Sequence, residues 1–182
     1  MAPRRYRSIA LATAVSSALA AAAVAALPAG AAAGDHPVTT DATMAVPALA
    51  TDGFTYDPAQ VPVGSRVRVH AVETGGGKTV VTMQVKGLLP ERSYGAHAHV
   101  AACGATGAAA GGHYQYLPGV VSPENEVWLD FTTDADGNGS AQTVVDWEFA
   151  PATARSVTLH ALPTDPTTGG AGARLGCVTV AF

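Results

Sequence analysis

The sequence predicts an all-β domain, a sandwich or a barrel, on three observations. Polar and apolar residues alternate strictly over Arg66-Val67-Arg68-Val69-His70-Ala71-Val72-Glu73, the period-two pattern of a half-buried strand. Similar runs recur at short, regular spacing between turns such as Gly75-Gly76-Gly77 and Gly87-Leu88-Leu89-Pro90. Helical periodicity is missing from these runs, and many short strands between turn signals describe a sheet protein.

Taken in order, the chain opens with Arg4, Arg5 and Arg7, an apolar run from Ile9 to Leu27, and the small residues Pro28-Ala29-Gly30-Ala31-Ala32-Ala33. This pattern predicts a secretory signal peptide over 1–33, cleaved after Ala33. An uncleaved membrane anchor is the alternative. Tyr6-Arg7-Ser8 fits a twin-arginine signal poorly. No later apolar run is long enough to span a bilayer. Residues 34–60 are polar and weakly patterned, and are expected to be a flexible lead-in with one short strand at its end. The domain proper is expected over 61–182. Its strands are expected at Arg66–Glu73, Thr79–Lys86, Ser93–Val100, Val127–Thr132, Ser140–Phe149, Ser156–Leu162 and Leu175–Phe182. Between the third and fourth lies a Gly- and Ala-rich stretch, Ala101–Pro123, and a loop of that length inside a compact domain usually has a function. Asp134-Ala135-Asp136-Gly137-Asn138-Gly139 starts like a calcium loop, but Val145 stands where the bidentate Glu is needed and no helices flank it. A tight hairpin turn explains it on conformational grounds.

About 150 residues remain after the leader, enough for one domain with a core. The chain is mildly acidic, with formal net charge −4, and shows no basic stripe, which argues against a nucleic-acid partner. Cys103 and Cys177 are the two cysteines, and an even count in an exported chain predicts one disulfide. A blue-copper site with a thiolate ligand would need a histidine, and often a methionine, shortly after Cys177. Only Val178-Thr179-Val180-Ala181-Phe182 follows.

Chemistry concentrates in His97-Ala98-His99, His113 and His160. A His-x-His pair on a strand puts both imidazoles on one face. Two convergent imidazoles are half of a transition-metal site, and His113 and His160 can complete it. Imidazole suits copper, zinc, iron and nickel alike. A cupin would place a Glu a few residues after the pair, where this chain has Cys103-Gly104. A hydrolytic zinc site could use three of these histidines but lacks an obvious general base. His70 lies on the polar face of its strand and reads as solvated. A mature terminus Gly34-Asp35-His36 could chelate Cu(II) through its amine and amides. Trp128 and Trp147 read as core or barrel surface.

Several ordered blocks together resemble the copper/zinc superoxide dismutase family: Gly87-Leu88-Leu89-Pro90, Gly95-Ala96-His97-Ala98-His99, Cys103, Gly112-His113-Tyr114, the Asp134–Gly139 turn, Val157-Thr158-Leu159-His160-Ala161 and Gly170-Ala171-Gly172-Ala173-Arg174-Leu175-Gly176-Cys177. The resemblance runs from about Arg66 to Phe182. It implies an eight-stranded Greek-key β-barrel, with His97, His99, His113 and His160 as copper ligands. It also implies a Cys103–Cys177 disulfide and an Arg174 that attracts and orients superoxide. The family's zinc site is not repeated. No histidine lies between His113 and the Asp134 turn, and the zinc ligands fall near Glu124 and Val127. The loop from His160 to Arg174 is also short. Both departures resemble the copper-only branch, in which an acidic residue can contact the former bridging histidine. Glu124 and Glu126 are the candidates, and the sequence does not choose between them.

The expected function is therefore an exported, copper-dependent superoxide dismutase with one copper per domain and no zinc. His113 would leave the metal on reduction and carry a proton. Superoxide is the expected substrate, and a copper donor is the further partner this implies. The alternatives on the same barrel are a copper-binding or copper-delivery protein without catalysis, and a structural barrel with vestigial metal affinity.

Overall fold

The computed structural model describes residues 36–150 and 153–182. The predicted signal peptide, its cleavage site and the Gly34-Asp35-His36 chelate lie wholly or in part outside the described residues. No helix among the described residues is long and apolar enough to cross a membrane.

Nine strands are described: β1 His36–Ala45, β2 Gly53–Thr55, β3 Arg66–Thr74, β4 Lys78–Lys86, β5 Ser93–His99, β6 Phe131–Thr132, β7 Gly139–Val145, β8 Ser156–His160 and β9 Arg174–Thr179. Among the described residues one 3-10 turn spans Gly107–Ala110. The strands form one sheet in the order β6-β5-β8-β9-β2-β1-β3-β4-β7. Only β1 and β2 pair in parallel. The β5–β8 and β4–β7 pairs join strands that are not consecutive, the long returns of Greek-key connections. The end strands β6 and β7 are joined by the Asp134 turn, where Asp134 Oδ1 accepts the Asp136 and Asn138 amides. Gly139 lets them close up, because a Cβ there would sit 2.7 Å from the Phe131 ring. The result is a nearly closed barrel, the all-β fold expected from the alternation.

Two expectations change. The lead-in is not a loop: residues 36–45 form the longest strand, paired with β3 from His36↔Glu73 to Thr43↔Arg66. Its inward set is Val38, Thr40, Ala42 and Met44, too small and too polar to show a period on hydrophobicity alone. The count is nine rather than eight, since β2 and β6 are pieces of three and two residues. The expected strand Val127–Thr132 shortens to β6 because the Asp130 carboxylate takes the Ala96 amide at 3.1 Å and interrupts the ladder. Other ends move by a few residues, the largest change being β7, which stops at Val145 rather than Phe149.

The core is filled by the inward faces of the strands, with Val67, Val69, Val81, Met83, Val85, Tyr94, Leu129, Leu159 and Leu175 fully or nearly buried. In β5, Tyr94, Ala96 and Ala98 face this core. Alternation therefore sends Gly95, His97 and His99 to the other face. In β8, Val157 and Leu159 are core and His160 faces the same way as the β5 histidines. These two strands are buried on both faces, one against the core and one beneath loops. The second face is where the site lies.

Candidate metal centre

The register places His160 opposite Gly95 and diagonal to His97, with His99 two residues further along β5. Gly95 has no room for a side chain, since a Cβ would lie 2.5 Å from the Leu162 carbonyl. The loop after β8 can therefore fold tightly across the site. His113 arrives from the long loop after β5 and forms an isolated bridge with His99. Each of the four imidazoles offers a nitrogen, and these four atoms lie within 4.8 Å of one another. The four histidines expected from the sequence are thus brought together.

Each ring also has its other nitrogen occupied. His99 Nδ1 meets the Gly111 carbonyl at 3.1 Å and His160 Nδ1 the Gly172 carbonyl at 3.4 Å. His113 Nδ1 meets Glu126 Oε2 at 2.9 Å, and His97 Nε2 meets Thr164 Oγ1 at 2.6 Å. His97 Nδ1 is buried with no partner among the described residues. His99 Nε2 and His160 Nε2 face each other at 3.4 Å. An orphaned buried nitrogen and two facing lone pairs are unfavourable unless a cation lies among them. This arrangement fits a metal ion, with three Nε2 and one Nδ1 as donors. Partners on the far nitrogens fix ring orientation, as metal-binding histidines require.

Burial keeps three of these rings neutral. It pushes His97 down to about 2, with the neighbouring histidines and Arg174 adding to the effect. His99 falls to about 3 and His160 to about 4, both mainly through burial. In the unfolded chain the same rings protonate near 6.5. The unfolded state therefore binds more protons in the window between about 6.5 and about 4. Stability of the metal-free protein should be full above that window and fall as the pH drops through it, by up to about 1.4 kcal/mol per pH unit for each ring. Urea unfolding at about pH 7 and about pH 5 checks this, with a lower midpoint expected at the lower pH. Equal midpoints would mean that the rings are not held neutral.

Glu126, not Glu124, is the acidic partner. Its side chain is 1% exposed and accepts from His113 Nδ1, from Gln115 Nε2 at 2.7 Å and from Trp128 Nε1 at 2.7 Å. Burial pushes its carboxyl up, but these three bonds outweigh burial and hold it below the usual range. Glu124 is exposed, and only its carbonyl is engaged, by Trp147 Nε1.

Arg174 is half-buried, donating through Nη1 to the Gly107 carbonyl at 2.7 Å and through Nη2 to the Gly111 carbonyl at 2.6 Å. Gly111 therefore serves both Arg174 and His99. The predicted Cys103–Cys177 disulfide is formed and ties this loop to β9 three residues from Arg174. Trp128 is a partner of the site as well as of the barrel wall. Trp128, Gln115, Thr164 and Asp130 were not legible as site residues, because each acts through another side chain and none carries a ligand spacing. His70 stays outside the site, with Nδ1 2.8 Å from Thr39 Oγ1.

No protein-family model matches this chain, and no curated protein matches it. Among solved structures the chain is similar to the clock protein EA4, known from a crystal structure, with a TM-score of 0.52 at 18% identity. The match covers 81% of this chain and 92% of that one, and it is a likeness of fold.

Proposed function

We propose that this chain is an exported, copper-dependent superoxide dismutase that works without zinc. The observation that carries the reading is the set of four imidazoles, each with one nitrogen held and one free, with a buried carboxylate on His113. Both cysteines are consumed in the disulfide, so the donor set is all imidazole, which suits copper. The disulfide also favours an oxidising compartment.

Copper, when bound, supplies a one-electron couple through which one superoxide leaves as dioxygen and a second, with two protons, leaves as hydrogen peroxide. The protein's residues supply the rest. Arg174 presents a permanent positive charge beside the histidines, raising the local concentration of a small anion and orienting it. Glu126 would hold the His113 proton at Nδ1, leaving Nε2 as the nitrogen that would hold the metal. The His113 side chain is 19% exposed and is the least buried of the four, so it is the ring to which proton delivery to departing peroxide is assigned. His97, His99 and His160 are too deeply buried for that task and serve as fixed ligands.

The test is superoxide disproportionation by the protein loaded with one equivalent of copper, with free copper chelated, for wild type and Arg174→Ala. Wild type should far exceed the chelated control without added zinc. Arg174→Ala should lose roughly tenfold and much of its dependence on ionic strength, while retaining copper. Tight copper binding without turnover in the wild type would instead identify a copper carrier.

A further inference from the structure

Among the four histidines, His97 alone has its occupied nitrogen against a hydroxyl rather than a carbonyl or carboxylate. A hydroxyl can donate or accept, so this contact by itself leaves open which nitrogen of His97 carries the proton. Asp130 removes the ambiguity. Its Oδ1 takes the Thr164 hydroxyl at 2.6 Å and the Ala96 amide at 3.1 Å, and its Oδ2 takes the Thr164 amide at 2.6 Å. A carboxylate only accepts. The single hydroxyl proton of Thr164 is therefore committed to Asp130, and the Thr164 oxygen can only accept from His97. His97 must then carry its proton on Nε2. Its Nδ1 is left bare, and this is the buried atom that has no partner among the described residues and faces the other three rings.

We propose that Asp130 and Thr164 form a positioning relay that sets the tautomer of His97 and aims its Nδ1 lone pair into the metal centre. The inference rests on the metal reading of the site but not on dismutation. With the proton on Nδ1, the ring would have to shed it before accepting a metal, because a ligand nitrogen must be bare. The relay also reaches beyond one ring. Thr164 lies in the loop that supplies the Gly172 carbonyl to His160, and Gly169 of the same loop passes over the His113–Glu126 pair. Within that loop Asp165 binds the Thr167 and Thr168 amides and pairs its backbone with Gly169 and Gly170. The loop is therefore internally braced, and Asp130 is its fastening to the β5 side of the barrel.

A fastening with no effect on the ring would be the plainer role, and one pair of variants separates the two. Thr164→Val keeps the shape of the side chain and removes the acceptor, and Thr164→Ser restores it. The imidazole nitrogen chemical shifts of the metal-free protein, read by NMR, report the tautomer directly. Wild type and Thr164→Ser should show His97 protonated at Nε2. Thr164→Val should show a mixture or protonation at Nδ1. Copper affinity, measured by competition with a chelator, should fall roughly tenfold to a hundredfold in Thr164→Val and recover in Thr164→Ser. Asp130→Asn should shift the tautomer in the same direction, since an amide can donate to Thr164 and free its hydroxyl proton toward His97. A wild-type His97 protonated at Nδ1 would overturn the proposal, even if the valine variant failed to fold. So would an unchanged tautomer and affinity in Thr164→Val. A correct tautomer in a protein that binds copper but does not turn over superoxide would leave the relay standing and remove only the dismutase reading.

Discussion

Glu126→Ala should lower the stability of the protein by about 3 kcal/mol and its copper affinity by roughly tenfold to a hundredfold. The carboxylate is nearly inaccessible and takes three donors, from His113, Gln115 and Trp128. Removing it strands all three at once, and an unpaired buried donor costs about 1–3 kcal/mol. Partial access of water to His113 keeps the sum toward the lower end. The affinity loss has a separate origin. Without Glu126 nothing fixes the His113 proton at Nδ1, so the ring spends part of its time in the wrong tautomer and orientation. Glu126→Gln should keep most of the packing and still lose affinity, since its amide brings a donor toward other donors. Glu124→Ala, on an exposed side chain, should change stability by less than about 0.5 kcal/mol. Urea unfolding and chelator competition read both quantities. Equal behaviour of the Glu124 and Glu126 variants would discard the assignment.

Replacing Cys103 and Cys177 together by alanine should cost about 4 kcal/mol. The bridge spans 74 residues of sequence, and closing a loop of that order removes a corresponding amount of freedom from the unfolded chain. A functional loss should accompany the stability loss. The tethered loop carries the Gly107 and Gly111 carbonyls that hold Arg174, and Gly111 also holds His99. A freed loop lets Arg174 swing away and loosens His99 and His113, while His97 and His160 stay seated on β5 and β8. Superoxide turnover should therefore fall further than copper affinity in the alanine pair. Parallel losses would place the whole effect in global stability.

The strands that carry the site were legible because their periods are strong. β3 and β4 alternate valines with charged or polar residues, and the His-x-His pair lies on one face of β5 as period two requires. β1 was missed because threonine and alanine supply half of its inward face. Register was not legible either. The placement of His160 opposite Gly95 depends on pairing between strands far apart in sequence, which local pattern does not encode. The choice of Glu126 over Glu124 depended on the same missing information. Both acids lie near the right distance from His113 along the chain, and only the fold decides which one turns inward. The relay through Thr164 was furthest from view, since a threonine and an aspartate separated by 33 intervening residues carry no spacing signal of their own.

The pairing of β2 with β9 sets the order of events when the chain folds. Gly53, Phe54 and Thr55 find their neighbours at Val178, Cys177 and Gly176. An early segment must wait until the final strand has been made. Contacts of such long range slow folding, and sheet domains dominated by them fold in milliseconds to seconds. A growing chain cannot close this barrel while its last strand is still missing.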